Sequence, residues 1–193
     1  MNKVSYERTM RASNGRFQTR AEDGQLYIEG YFAVFGSEYR IFENAIETID
    51  EDAFNETLAG DIRALVNHDS TLVLGRTTAG TLTLQVDRIG LWGSIVVNQA
   101  DQDAMNLYER VRRGDVDQCS FGFDILDQSR EVLENGTTVW RIKKVKLYEV
   151  SVVTFPAYED TSVEARRREL SDIRKTKIEQ WKNEMRQRIQ GVR

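Results

Sequence analysis

Between Leu26 and Phe155 apolar residues recur mostly at every second position, in short runs rich in Val, Ile, Leu and aromatic side chains. That is the period of a strand, so most of this chain has to bury strand faces, and an all-helical bundle is excluded. The run LYIEGYFAVF begins the folded body near Leu26, with Gly30 marking a bulge or a close backbone approach. Ile62, Ala64, Val66 and His68 fall on one face of a further strand, so the histidine ends an apolar stripe. Residues 81–87 and 91–97 alternate around Arg88-Ile89-Gly90 and predict a hairpin, and Asn135-Gly136 predicts a second one. Two stretches break the pattern. Asp50 caps a short helix over 51–59 that Gly60 closes, and Ala104, Leu107, Tyr108 and Val111 share one face of a helix from Gln102 to just before Gly114.

After Pro156, the only proline, the period changes from strand to helix. Val163, Leu170, Ile173, Trp181, Met185 and Ile189 predict a partly amphipathic helix of about 25 residues. Charge divides the chain in the same places. Residues 1–20 hold five basic groups against Glu7, and residues 160–193 hold ten basic against six acidic, +4 at each end. Against the whole-chain charge of −4, the body between them carries −12. The expected organisation is therefore a basic, flexible arm at 1–20, a folded body at 21–161 and a basic helical extension at 162–193. No apolar run approaches the roughly 20 residues that span a bilayer, and the N-terminus lacks the apolar centre of a secretory signal, so no membrane contact is expected and synthesis in a cytoplasm is.

Side-chain chemistry is confined by the presence of one histidine and one cysteine. Together they cannot form a disulfide framework or a usual structural zinc site, and no metal or organic cofactor is implied. A hydroxyl nucleophile needs a positioned base at neutral pH, and His68 is the only imidazole. Strand parity splits 117–125 into an apolar face, Cys119, Phe121, Phe123 and Ile125, and a second face, Gln118, Ser120, Gly122 and Asp124. Neighbouring Cys119 and Ser120 cannot both face one base. Ser120, presented away from the core beside a glycine that leaves room for a ligand, is the better nucleophile. Glu149 interrupts the apolar set Val145, Leu147 and Val153, and a buried carboxylate needs a partner. It fits the acceptor that orients an imidazole. A structural reading pairs it with Arg63 or Arg76, and Asp69 and Asp117 compete as orienters, although Asp69 should point to the opposite strand face from His68.

The motifs NHD (67–69), LGRT (74–77), GTLTL (80–84), SFGF (120–123) and EVSVVTFPAY (149–158), preceded by EGYFAVF (29–35), occur in this order along the chain. In order and separation the sequence resembles the prohead maturation protease family of tailed bacteriophages, over residues 25–163. These phage enzymes look related to the herpesvirus assembly proteases, which implies an α+β fold, mainly β: a closed antiparallel β-barrel flanked by short helices, with a C-terminal helix. The resemblance implies Ser120 as the nucleophile and His68 as the base. Herpesvirus enzymes use a second histidine; this chain has none, and Glu149 occupies the matching region.

The implied activity is a serine endopeptidase that works inside the immature capsid, in the bacterial host cytoplasm. It would cleave the scaffolding segment of the major capsid protein, and itself, with Ser120, His68 and Glu149 as the triad. Homodimerisation follows by analogy with the herpesvirus enzymes. Oxyanion donors are expected near Gly122 or within 154–158. The rival reading is a non-catalytic assembly module that binds capsid protein through its basic extensions. Nucleic acid is a poor partner for an acidic body without a stacking platform.

Overall fold

The alternating runs become eleven strands among the described residues of a computed structural model, which describes residues 9–13, 17–155 and 160–190. The chain divides into two units, 1–158 and 159–193. The first holds β1 (Thr9–Ser13), β2 (Phe17–Glu22), β3 (Gln25–Val34), β4 (Tyr39–Phe42), β5 (Ala45–Ile49), β6 (Arg63–Val66), β7 (Asp69–Arg76), β8 (Leu82–Val86), β9 (Gly90–Val96), α1 (Gln102–Arg113), β10 (Gln118–Val132) and β11 (Thr138–Val153). The second is α2 (Asp160–Gln190), a 31-residue helix studded with i,i+3 ion pairs such as Asp172–Lys175 and Glu179–Lys182.

Helix α1 forms where the apolar spacing predicts it. The Asp101 carboxylate accepts from the Asp103 and Ala104 amides, Ala104, Leu107, Tyr108 and Val111 are buried, and Gly114 ends the helix at φ 81°. The β8–β9 hairpin also forms, its turn held by Asp87 Oδ1 accepting from Ile89 and Gly90 amides. The segment after Asp50 differs from expectation: only Glu51–Phe54 is helical, as one 3₁₀ turn, and the Asp50 side chain makes no capping bond. Phe54 explains the brevity, because burying its ring edge-on against Phe121, 5.7 Å between centroids, anchors the segment after a single turn.

The strands make two sheets. One runs β1-β10-β11-β5-β4, with β6 also on β11 and β7 on β6; the other runs β2-β3-β9-β8. Their apolar faces meet in one core that includes Phe32, Ile28, Leu91 and Ile95 from the second sheet and Phe121, Phe123, Val150 and Val152 from the first. Each such side chain contributes about 1.5–3 kcal/mol on burial. The barrel expectation is corrected here. Neither sheet closes on itself, and the larger sheet is mixed, because β5 and β6 both lie parallel to β11. The physical reason is the length of β11, which at 16 residues offers one edge to two short strands laid end to end. What joins the two sheets is apolar contact rather than a continuous hydrogen-bonded ladder.

Residues 9–13 and 17–20, expected within an arm, instead extend both sheets: β1 pairs with β10, and β2 pairs with β3. Residues 1–8 and 14–16 lie outside the described residues.

Candidate active site

His68 does not end a strand. Asn67 and His68 form the two-residue turn between β6 and β7, at φ 49° and 62°, with Val66 and Asp69 paired across it. Two successive left-handed residues make a turn of the I′ kind, which suits asparagine and is disfavoured for most other side chains. The turn is tied to β11: the Asn67 amide donates to the Val152 carbonyl at 3.0 Å, and Asn67 Oδ1 accepts from the Thr154 amide at 2.9 Å. His68 is thereby held against β11 rather than along the stripe of Ile62, Ala64 and Val66.

Glu149 reaches the same place by a break in strand parity. Gly122 pairs with Glu149 but Phe123 pairs with Leu147, so Tyr148 is an extra residue on β11. Such bulges flip the alternation downstream. Val145 and Leu147 before it, and Val150 and Val152 after it, all enter the core. Glu149 therefore does not share the face of Val145 and Leu147, as plain alternation predicts. It lies with Ser151 opposite Gly122 and Ser120 on the face turned away from that core.

Every oxygen of the Glu149 carboxylate has a partner. His68 Nδ1 lies 2.7 Å from Oε1, and Ser151 Oγ donates to Oε2 at 2.6 Å. Ser151 Oγ also accepts from the His68 backbone amide at 3.2 Å. An ionised carboxylate only accepts, so Nδ1 is the donor in this contact, and in the neutral ring that tautomer leaves Nε2 its lone pair. Arg63 and Arg76 place their guanidinium groups on Asp61 instead, which holds that carboxyl far below the ordinary range. Asp69 and Asp117 are exposed. Asp69 caps its own turn by accepting from Thr71, and those bonds lower its pKa.

Gly122 serves the carboxylate rather than leaving room for a ligand. A Cβ built there would run into Glu149 Oε1 and Cδ. Gly122→Ala is expected to cost about 1–3 kcal/mol of stability and to push the carboxylate off His68, with cleavage falling in step. A thermal melt and a cleavage assay check this, and an unchanged result in both contradicts the placement of Glu149.

Ser120 is fully buried, 0% exposed, and not presented to solvent as strand parity suggests. At this point β10 is an inner strand, with Ala12 of β1 paired to Ser120 on one edge and Ser151 of β11 on the other. Ser120 sits directly across the ladder from Ser151. Its Oγ and His68 Nε2 are both buried without a hydrogen-bond partner, hence not bonded to each other. Cys119 lies on the opposite face, in the core, with Sγ 3.1 Å from the Tyr31 carbonyl oxygen. Because that acceptor is in place, Cys119→Ser should cost only about 1 kcal/mol and leave cleavage intact, as melting and turnover of the variant would report.

Three participants escape a reading of the sequence by residue type. Ser151, Asn67 and Thr154 buttress the pair of His68 and Glu149 from outside. The one signal for Ser151 was its position two residues from Glu149 on a strand, where both share a face. Of the region expected to supply oxyanion donors, residues 156–158 lie outside the described residues. Among the described residues no three His, Cys, Asp or Glu side chains are grouped to hold a metal ion.

Among curated proteins, none matches the sequence significantly. A solved structure, that of the bacteriophage T4 capsid assembly protease, gp21, is similar at 16% identity with a TM-score of 0.46, over 76% of this chain and 98% of that one. The model of the caudovirus prohead serine protease family matches residues 15–176, most of the chain, and the protein belongs to that family.

Proposed function

We propose that this capsid maturation protease cuts peptide bonds through Ser120, His68 and Glu149, acting within the prohead in the host cytoplasm on the scaffolding segment of the major capsid protein and on itself. One observation carries the reading. Ser120 Oγ and His68 Nε2 are buried without a partner. Thr48 Oγ1 and Gln118 Oε1 are also buried without a partner, but Ser120 Oγ and His68 Nε2 are a hydroxyl and an imidazole nitrogen whose companion ring nitrogen is fixed on a buried carboxylate. Leaving buried polar groups unpaired costs about 1–3 kcal/mol each, so such atoms in a native fold point to work done on another molecule.

In this reading Ser120 Oγ attacks the carbonyl carbon of the scissile bond. His68 Nε2 takes the hydroxyl proton, and the imidazolium is stabilised by Glu149 at Nδ1. As the tetrahedral intermediate collapses, the C–N bond breaks and the proton passes from Nε2 to the leaving amine. Water then repeats the sequence on the acyl-serine ester and regenerates the hydroxyl. The hydroxyl and ring nitrogen come into hydrogen-bonding range as substrate binds, a tightening common in serine hydrolases.

Ser151 holds the charged end of Glu149 and the backbone of His68 at once, so base and orienter keep one geometry. Co-expression with the capsid protein, followed by mass mapping of the products, tests the proposal. Discrete cuts with the unaltered protein and none with Ser120→Ala are expected; the same cuts with both overturn it.

A further inference from the structure

Short of the bulge at Tyr148, the β10–β11 hairpin borders a cavity of about 430 Å³. Lys144, Lys146 and Tyr148 line it from β11, and Glu56, Thr57 and Asp61 from the segment before β6. It lies where β11 no longer has β5 beside it, past Ile142, and does not yet have β6, which begins to pair at Glu149. The Leu147 amide uses that gap to donate to Thr57 Oγ1 at 2.8 Å, which fixes the opposite wall.

The ladder relates this cavity to Ser120. Ser120, Gly122 and Asp124 alternate along one face of β10 and stand opposite Ser151, Glu149 and Lys146. Lys146 is thus displaced along the hairpin by the four residues between Ser120 and Asp124, about 13 Å at the rise of a strand. An extended polypeptide covers the same distance in about four residues.

Charge in the cavity wall is nearly all answered from within. Lys144 Nζ is 2.5 Å from Glu56, and Asp61 is held by Arg76 at 2.7 Å and Arg63 at 3.1 Å. Asp124, across the ladder from Lys146, accepts the Tyr148 hydroxyl at 2.6 Å. Among the described residues Lys146 makes no ion pair; its ammonium lies 5.1 Å from the centroid of the Tyr148 ring. An acidic side chain entering here meets the Lys146 ammonium, which among the described residues has the Tyr148 side chain but no carboxylate as a partner.

We propose that this cavity is a recognition subsite of the protease, in which Lys146 takes the carboxylate of an acidic substrate residue about four positions from the scissile bond. The proposal rests on the assignment of Ser120 as nucleophile. Its test uses labelled peptides that span the cleavage site mapped in the capsid protein. Glu, Gln or Lys is placed in turn at the third to fifth residue on either side of the bond.

At one of these positions Glu→Lys should lower kcat/KM by about three- to tenfold in the unaltered enzyme, and Lys146→Glu should abolish or reverse that preference. Peptides that stop short of the position should be cut equally by both. The preference should also weaken as salt is raised. An acid preference of equal size in both proteins, or none at any position, overturns the proposal. Binding of the same peptides to Ser120→Ala, with and without Lys146→Glu, reads the cavity independently of the chemistry. Cleavage surviving in Ser120→Ala would sink the nucleophile alone, and loss of charge-dependent binding contrast in the unaltered cavity would sink the subsite alone.

Discussion

Ser120→Ala is expected to lower capsid-protein cleavage by about four to six orders of magnitude while leaving the melting temperature unchanged or slightly raised. The two halves of this expectation have one cause. The Ser120 hydroxyl is fully buried and bonds to nothing, so its deletion strands no partner and relieves a desolvated dipole. Removing such a group returns up to about 1 kcal/mol, which in a domain of this size amounts to a few degrees at most. The same deletion removes the atom that would form the acyl intermediate. A structural serine predicts the opposite pairing, with retained turnover and a loss of stability from a broken hydrogen bond. A time course of cleavage by mass spectrometry, run beside a thermal melt, separates them; retained turnover removes Ser120 from the chemistry.

Glu149→Gln is expected to lower single-turnover cleavage by about three to four orders of magnitude with a stability loss of about 1–2 kcal/mol. Glutamine has nearly the same shape, but it has one acceptor oxygen where His68 Nδ1 and Ser151 Oγ now occupy two. If the amide oxygen stays on Ser151, the NH₂ faces the ring and selects the tautomer with its proton on Nε2, which cannot accept from a hydroxyl. If the oxygen stays on His68, the tautomer survives but the negative charge that favours imidazolium is gone. A purely structural ion pair would behave differently, because removing its charge would strand a buried cation at about 3–5 kcal/mol. No arginine is exposed to that fate here, since Arg63 and Arg76 are spent on Asp61. Melting temperature and single-turnover rate on this one variant decide the matter: a large stability loss with near-normal turnover would make Glu149 a structural residue.

Some of this protein is written in local patterns. The spacing of Ala104, Leu107, Tyr108 and Val111, with Asp101 before and Gly114 after, determines α1 because a helix turn satisfies itself within four residues. The turn at 87–90 and the Asn135-Gly136 turn, where Gly136 takes φ 81°, are equally local. Residue types also limit the candidate chemistry, since a single imidazole admits a single base of that kind. The convergence of those candidates is another matter. Alternation by itself places Glu149 with Val145 and Leu147, runs His68 along a strand and turns Ser120 outward. The extra residue at Tyr148, the left-handed pair Asn67 and His68, and the full burial of Ser120 within the folded body reverse all three. Each is settled by a strand far away in the chain. A bulge exists only relative to the strand it faces, a left-handed histidine persists only where β11 anchors its turn, and burial is a property of both sides of a sheet. The failure of the sheets to close has the same origin, in one long strand shared by two short ones. Sequence by itself determined the elements and the short roster of reactive groups, whereas face, register and closure were decided by tertiary structure, because they are relations between segments and periodicity is a property of one segment.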